Sequence, residues 1–259
     1  MKLHQKINYW VIDYLHMLKG GLAMVVYHRP PKHYLEYILP GKAPVILIPG
    51  ILGKWSFMKH LGDRISLTGH PVYIVPQLKY NVYSIPSSAR KVRTVIVHAI
   101  PKFGHILPHL PLGSELIRNF IERHNIKGGV LVAHSKGGLI GKYLLAHYNQ
   151  DQRIKGMVAI ATPFSGSRLA KLIPHKAFKE LATESKIIHA LEAHQAVNHR
   201  IISIIPEFDN HVWAERGSYL EGAENIQVNI GGHHKVLFDK KVEDEVIKDI
   251  ERISNQNSG

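Results

Sequence analysis

Cysteine is absent from the 259 residues. The chain therefore has no disulfide framework, no thiolate metal site and no cysteine nucleophile. That absence fits a reducing compartment, so a cytoplasmic location is the expectation, with peripheral membrane contact as an addition to it. Acidic side chains are scarce in the first half: residues 1–114 hold 14 basic against 3 acidic side chains (Asp13, Glu36, Asp63), which is +11 of the total of +13. No acid occurs between Asp63 and Glu115. Such a balance invites a nucleic-acid or anionic-membrane reading. Zinc-finger spacing, an aromatic RNA-binding run and basic repeats are all lacking, so no nucleic-acid partner is expected. A solvated basic face and attraction to anionic lipid both remain open. Long unbroken apolar runs are lacking too, because Asp13, His16 and Lys19 interrupt the stretch from Ile7 to Tyr27. It matches neither a secretory signal core nor a membrane span.

The remaining composition, 45% apolar and 20% charged, is that of an ordinary globular protein, and the length suits one large domain. Ile7, Trp10, Val11, Tyr14, Leu15 and Leu18 recur three and four apart, which predicts an amphipathic helix ending at Gly20-Gly21. Two placements suit it: packed on its own domain, or lying at a membrane interface. Past Arg29-Pro30-Pro31 the chain alternates short β-branched runs with helical stretches. Strands are expected at 45–48, 72–75, 129–132, 157–161, 201–205 and 226–230, and helices at 114–124, 137–148 and 242–253. Continuous Val/Ile runs separated by helices predict an α/β fold with a mostly parallel sheet flanked by helices. Segment 87–112 fits strand and helix equally.

The stretch from Gly129 to Gly138 carries the chemistry. A buried strand runs into Ser135, flanked by small Ala133 and Gly137, and then into a helix. A serine at such a corner is pushed out of the sheet with its hydroxyl exposed, and the turn is too tight for larger neighbours. Serine is a weak nucleophile without an adjacent base, itself oriented by a third group. Asp209 follows one strand candidate, and His233 follows the last one after a glycine pair. Glu207 is the nearest rival acid and His234 the rival base. The order is nucleophile, acid, histidine, each just beyond a strand C-terminus, where parallel sheets place their sites. His134, beside the serine, is expected to pack or hydrogen-bond. No His-Glu-x-x-His, phosphate loop or dinucleotide loop occurs, so neither a metal nor a cofactor is expected.

With those residues on the page, the chain resembles the α/β-hydrolase superfamily, and within it the lipase-like serine ester hydrolases, over about residues 43–250. Four segments carry the resemblance: Val45–Gly53 as strand and oxyanion loop, Ala133–Gly137 as the nucleophile elbow, Ala161–Ser167 as the loop after the next strand, and Asp209–Val212 with Gly232-His233 as acid and base loops. Pro49 stands where the family usually has histidine, and Ala133 where it usually has glycine. The resemblance implies an α/β-hydrolase fold over 43–259, preceded by a helix and extension over 1–42. It implies Ser135, Asp209 and His233 as catalytic residues, and the backbone amides of Ile51 and Lys136 as the oxyanion hole. It also implies cap or lid structure over 164–200, where Phe178 to His194 reads as helical. The expected activity is cleavage of a small-molecule or lipid carboxylic ester through an acyl-enzyme. Acyl transfer to another acceptor, and a non-catalytic lipid-binding role, are the alternatives.

Overall fold

A computed structural model describes residues 3–97 and 127–255 of the chain. Six strands, β1 (Val45–Ile48), β2 (Val72–Ile74), β3 (Gly129–His134), β4 (Ile154–Ile160), β5 (Ile201–Phe208) and β6 (Glu224–Gly231), form one sheet in the order β2-β1-β3-β4-β5-β6. Every pairing is parallel. All six expected strands are present, most of them longer than their apolar runs. β1 and β3 are buried at every position, which is why their sequences do not alternate.

Successive side chains of the central strands feed two cores. Ile46, Ile48, Leu131, Ala133, Met157 and Ala159 point to one face, covered by α4 (Ile85–Val97) and α5 (Lys136–His147). Val45, Leu47, Val130, Val132, Val158 and Ile160 point to the other, covered by α3 (Lys59–Leu67) and α8 (Lys240–Asn255). Alternation with a period of two residues thus supplies both cores of a three-layer α/β sandwich. The ambiguous segment is helical through Val97. Its remainder, and the helix expected at 114–124, lie outside the described residues.

The N-terminal helix α1 (Leu3–Val26) departs from expectation in two ways. It runs through Gly20-Gly21 instead of ending there, because Gly20 serves a close approach: a Cβ at that position would lie 2.4 Å from the Phe57 ring. Its packed face is also not the apolar one. Asp13 and Gly20 are its buried residues, whereas Ile7, Val11, Leu15 and Leu18 are exposed. The other correction concerns Phe178 to His194, which holds no single helix. The chain forms the short α6 (Lys176–Lys179) and then α7 (Lys186–Ala193), restarted at Ser185, whose hydroxyl accepts from the Ile187 amide and caps α7. A further short helix, α2 (His33–Glu36), lies beside the edge strand β2.

Candidate active site

Ser135 joins β3 to α5 with φ 54° and ψ −124°, a conformation that a non-glycine residue occupies only at energetic cost. The surroundings hold it there. The Ser135 amide donates to the Ile160 carbonyl at 2.9 Å, and the Gly138 amide donates back to the Ser135 carbonyl at 3.0 Å. A Cβ on Gly137 would come within 2.2 Å of the Ile48 carbonyl oxygen, so the small residue after the serine is a steric necessity. Lys136 opens α5, and the first amides of a helix have no intrahelical acceptor. Its side chain is fully buried, donating from Nζ to the carbonyls of Asn81 (3.2 Å) and Tyr83 (2.5 Å). Burial pulls its pKa down to about 8.

The loop after β1 folds as a tight turn in which the Gly53 amide donates to the Gly50 carbonyl at 3.1 Å and Leu52 takes φ 59°. Pro49 is anchored by its carbonyl, which accepts from Asn81 Nδ2 at 2.6 Å. Asn81 thus ties the Ile51 loop, through its side chain, to the Lys136 ammonium, through its carbonyl. Nothing in the sequence singled it out.

Asp209 and His233 meet: His233 Nδ1 lies 2.8 Å from Asp209 Oδ2. Asp209 Oδ1 accepts from the amides of His211 (2.8 Å) and Val212 (2.9 Å), which fixes the carboxylate in its loop beyond β5. Burial works to raise the Asp209 pKa, but the His233 charge and hydrogen bond, with the two amides, bring it below the ordinary value. For His233 burial works downward, and the Asp209 carboxylate outweighs it, leaving the imidazole above its ordinary value. Glu207, the rival acid, is exposed and accepts from the Tyr9 hydroxyl at 3.0 Å.

His234 has a different partner, which the sequence did not reveal. Its Nδ1 lies 2.9 Å from Oδ2 of Asp13, carried in by α1. Asp13 Oδ1 also accepts from the amides of His234 (2.6 Å) and Lys235 (2.9 Å), and Oδ2 from Asn210 Nδ2 (3.0 Å). Burial opposes ionisation of this carboxylate, yet the His234 side chain and the converging donors hold its pKa well below the ordinary range. Asn210 completes the link, since its Oδ1 accepts from the His233 amide at 3.0 Å. His134 Nε2 donates to the His233 carbonyl at 2.9 Å, in keeping with the hydrogen-bonding part expected of it.

Asp13, His211 and His234 offer ligand atoms within 4.8 Å of one another, as do Asp209, His211 and His233. Each Asp13 oxygen already accepts two hydrogen bonds, which fills a carboxylate's capacity, so the first set suits a hydrogen-bonded hub better than a cation.

Ser135, His233, His234 and Ile51 line one cavity of about 650 Å³. Leu169, Ile173, Phe178 and Leu181, from the segment expected to act as a cap, form part of its wall, and Leu18, Leu22 and Val25 of α1 another part.

Residues 43–184 match the family model described as the alpha/beta hydrolase fold. The chain belongs to that family. The match takes in the Ser135 elbow and the Ile51 loop of this α/β hydrolase but stops before Asp209 and His233. No curated protein matches it by sequence. Among solved structures, Aspergillus fumigatus lipase B superposes with a TM-score of 0.63 at 16% identity, over 84% of this chain and 54% of that one. This chain therefore spans about half of the fungal lipase. Mature Bacillus licheniformis lipase BlEst2 gives 0.61 at 14% identity over 85% and 95% of the two chains. Paleococcus ferrophilus monoacylglycerol lipase gives 0.51 at 13% over 83% and 97%. At these identities the likeness is one of fold.

Proposed function

We propose that this α/β hydrolase cleaves carboxylic esters through an acyl-enzyme on Ser135. The observation that carries the reading is the Asp209–His233 hydrogen bond, 2.8 Å long, in the cavity that also holds the strained Ser135 turn. His233, neutral, takes the Ser135 proton through Nε2 as the hydroxyl oxygen attacks the ester carbonyl. Asp209, bonded at Nδ1, fixes the tautomer and stabilises the imidazolium that forms. The amides of Ile51 and Lys136 stabilise the tetrahedral oxyanion, in positions held by Asn81. Protonated His233 then gives its proton to the leaving alcohol, and water, deprotonated by the same imidazole, releases the acid.

The apolar wall of the 164–200 segment suits an acyl chain, and we assign that segment the part of a cap. The likeness in fold to the fungal lipase, the Bacillus lipase and the monoacylglycerol lipase lends support to an ester substrate over other hydrolase chemistry. A panel of p-nitrophenyl esters of increasing chain length tests the reading, with Ser135→Ala as control. Turnover that rises with chain length and vanishes in the variant is expected. Undiminished turnover in Ser135→Ala removes the assignment.

A further inference from the structure

Helix α1 exposes a face that the other described residues leave uncovered. Ile7, Val11, Leu15, Leu18, Leu22 and Val25 follow one another at four, four, three, four and three residues, which keeps them on one side of the helix. Each is between 55% and 68% exposed. The helix's single acid, Asp13, is on the buried side. From Leu3 to Leu35 the exposed charged side chains are Lys6, Lys19, Arg29 and Lys32, all of them cations. Three of the six stripe residues, Leu18, Leu22 and Val25, also line the cavity that holds Ser135, so the apolar surface continues into the cavity mouth.

We propose that α1 is a docking helix that lies on an anionic lipid bilayer, stripe inward, and opens the cavity mouth toward it. An apolar stripe with a cationic rim is what an interfacial helix needs. No helix among the described residues is long and apolar enough to cross a membrane, so α1 lies on the surface instead of spanning it. Charge selects the bilayer over a second copy of the chain. Pairing two stripes brings together two chains of +13 each, and their cationic rims with them. An anionic leaflet meets the same rim with attraction. The docking rests on the reading of the site only for the identity of the substrate, a lipid ester delivered from the bilayer.

Vesicle flotation of the full chain tests this, with phosphatidylglycerol/phosphatidylcholine vesicles against pure phosphatidylcholine. Partitioning onto the anionic vesicles at 50 mM salt is expected to exceed that onto neutral ones at least tenfold, and to fall at least fivefold at 500 mM salt. The variant Ile7→Glu/Val11→Glu/Leu15→Glu alters stripe residues remote from the cavity. It should lose at least tenfold in partitioning while keeping its turnover of a soluble short-chain ester. Arg29→Glu/Lys32→Glu, outside the helix, should lose partitioning onto anionic vesicles only, and stands in if the triple variant does not fold. Equal partitioning onto both lipids, none onto either, or unchanged binding of the charge variant overturns the proposal. So does a wild-type dimer that the triple variant converts to monomer, which would make a second copy the occupant. Flotation as expected from a protein without esterase activity separates the two readings: the helix docks and the site assignment fails.

Discussion

Two aspartate–histidine pairs stand side by side in this molecule. His233 and His234 are neighbours in sequence, with rings 5.1 Å apart and nearly perpendicular at 87°. Each presents Nδ1 to a carboxylate Oδ2, at 2.8 and 2.9 Å, and each carboxylate uses Oδ1 to gather two backbone amides. Their imidazoles nevertheless shift in opposite directions. Asp209 carries His233 above its ordinary pKa, whereas burial, with the neighbouring His233 charge added, takes His234 below it despite Asp13. Asp209 comes from the loop beyond β5, beside its partner in chain order. Asp13 comes from a helix ahead of the sheet and spends half of its hydrogen bonds on the backbone of the histidine loop. On the proposed function the same pairing of groups makes a base in one place and a structural peg in the other, and the two imidazoles part because burial and the His233 charge outweigh Asp13 at His234.

The sharpest way to break that contrast is to remove each histidine. His233→Ala, like Ser135→Ala, is expected to lower kcat/KM on a soluble ester on the order of 10⁴-fold or more, whereas His234→Ala stays within about tenfold of wild type. The reverse pattern would exchange the two roles. Replacing the acids comes next. Asp209→Asn should cost on the order of 10³ to 10⁴-fold in kcat with a nearly unchanged urea midpoint. Asp13→Ala leaves the amides of His234 and Lys235 and the Asn210 side chain without their acceptor, and is expected to cost on the order of 3 kcal/mol or more of stability. Its folded fraction should lose less activity than Asp209→Asn.

The pH dependence sharpens the contrast further. His233 must be neutral to act as base, and its pKa in the folded site is raised, so kcat/KM should fall as pH drops, with its acid midpoint above about 6.5. A midpoint at or below that value would mean that Asp209 does not stabilise the imidazolium. The smallest effect concerns His211, whose ring is 5.0 Å from that of His233 and 4.8 Å from that of His234. Burial lowers its pKa to about 4. The folded state therefore prefers the neutral ring, and its contribution to stability is full above about 6.5 and lost as pH falls toward 4. His233 works in the opposite sense, so the useful measurement is the difference in Tm between wild type and His211→Asn, which should shrink over that interval.

What the sequence disclosed follows the reach of each interaction. The Ser135 elbow was legible because strand, small residues and helix are contiguous, and the six strands because full burial makes their apolar runs continuous. Asp209 and His233 were legible by order, each just past a strand end. Asp13 was not, since the contact that gives it meaning spans 221 residues and its only local signal is one acid in an acid-poor helix. For the same reason the apolar spacing located α1 but not which side faces inward: periodicity marks a stripe, and only Tyr9, Asp13 and Gly20 meeting their distant partners show that the stripe is outward. The break at Ser185 was hidden by apolar residues on both sides of it that serve two short helices as well as one.

The bond between Asp13 and the histidine loop has a consequence for how the protein is made. Synthesis proceeds from the N-terminus at about 5 to 20 residues per second. The 221 residues separating Asp13 from His234 therefore take roughly 11 to 44 s to appear. Throughout that interval α1 exists without the histidine-loop donors that hold its carboxylate ionised, and the elbow and the central strands are made only in the course of it. The histidine loop follows β6 directly and cannot be pinned by Asp13 before both have been made, so this contact is among the last that the nascent chain can form.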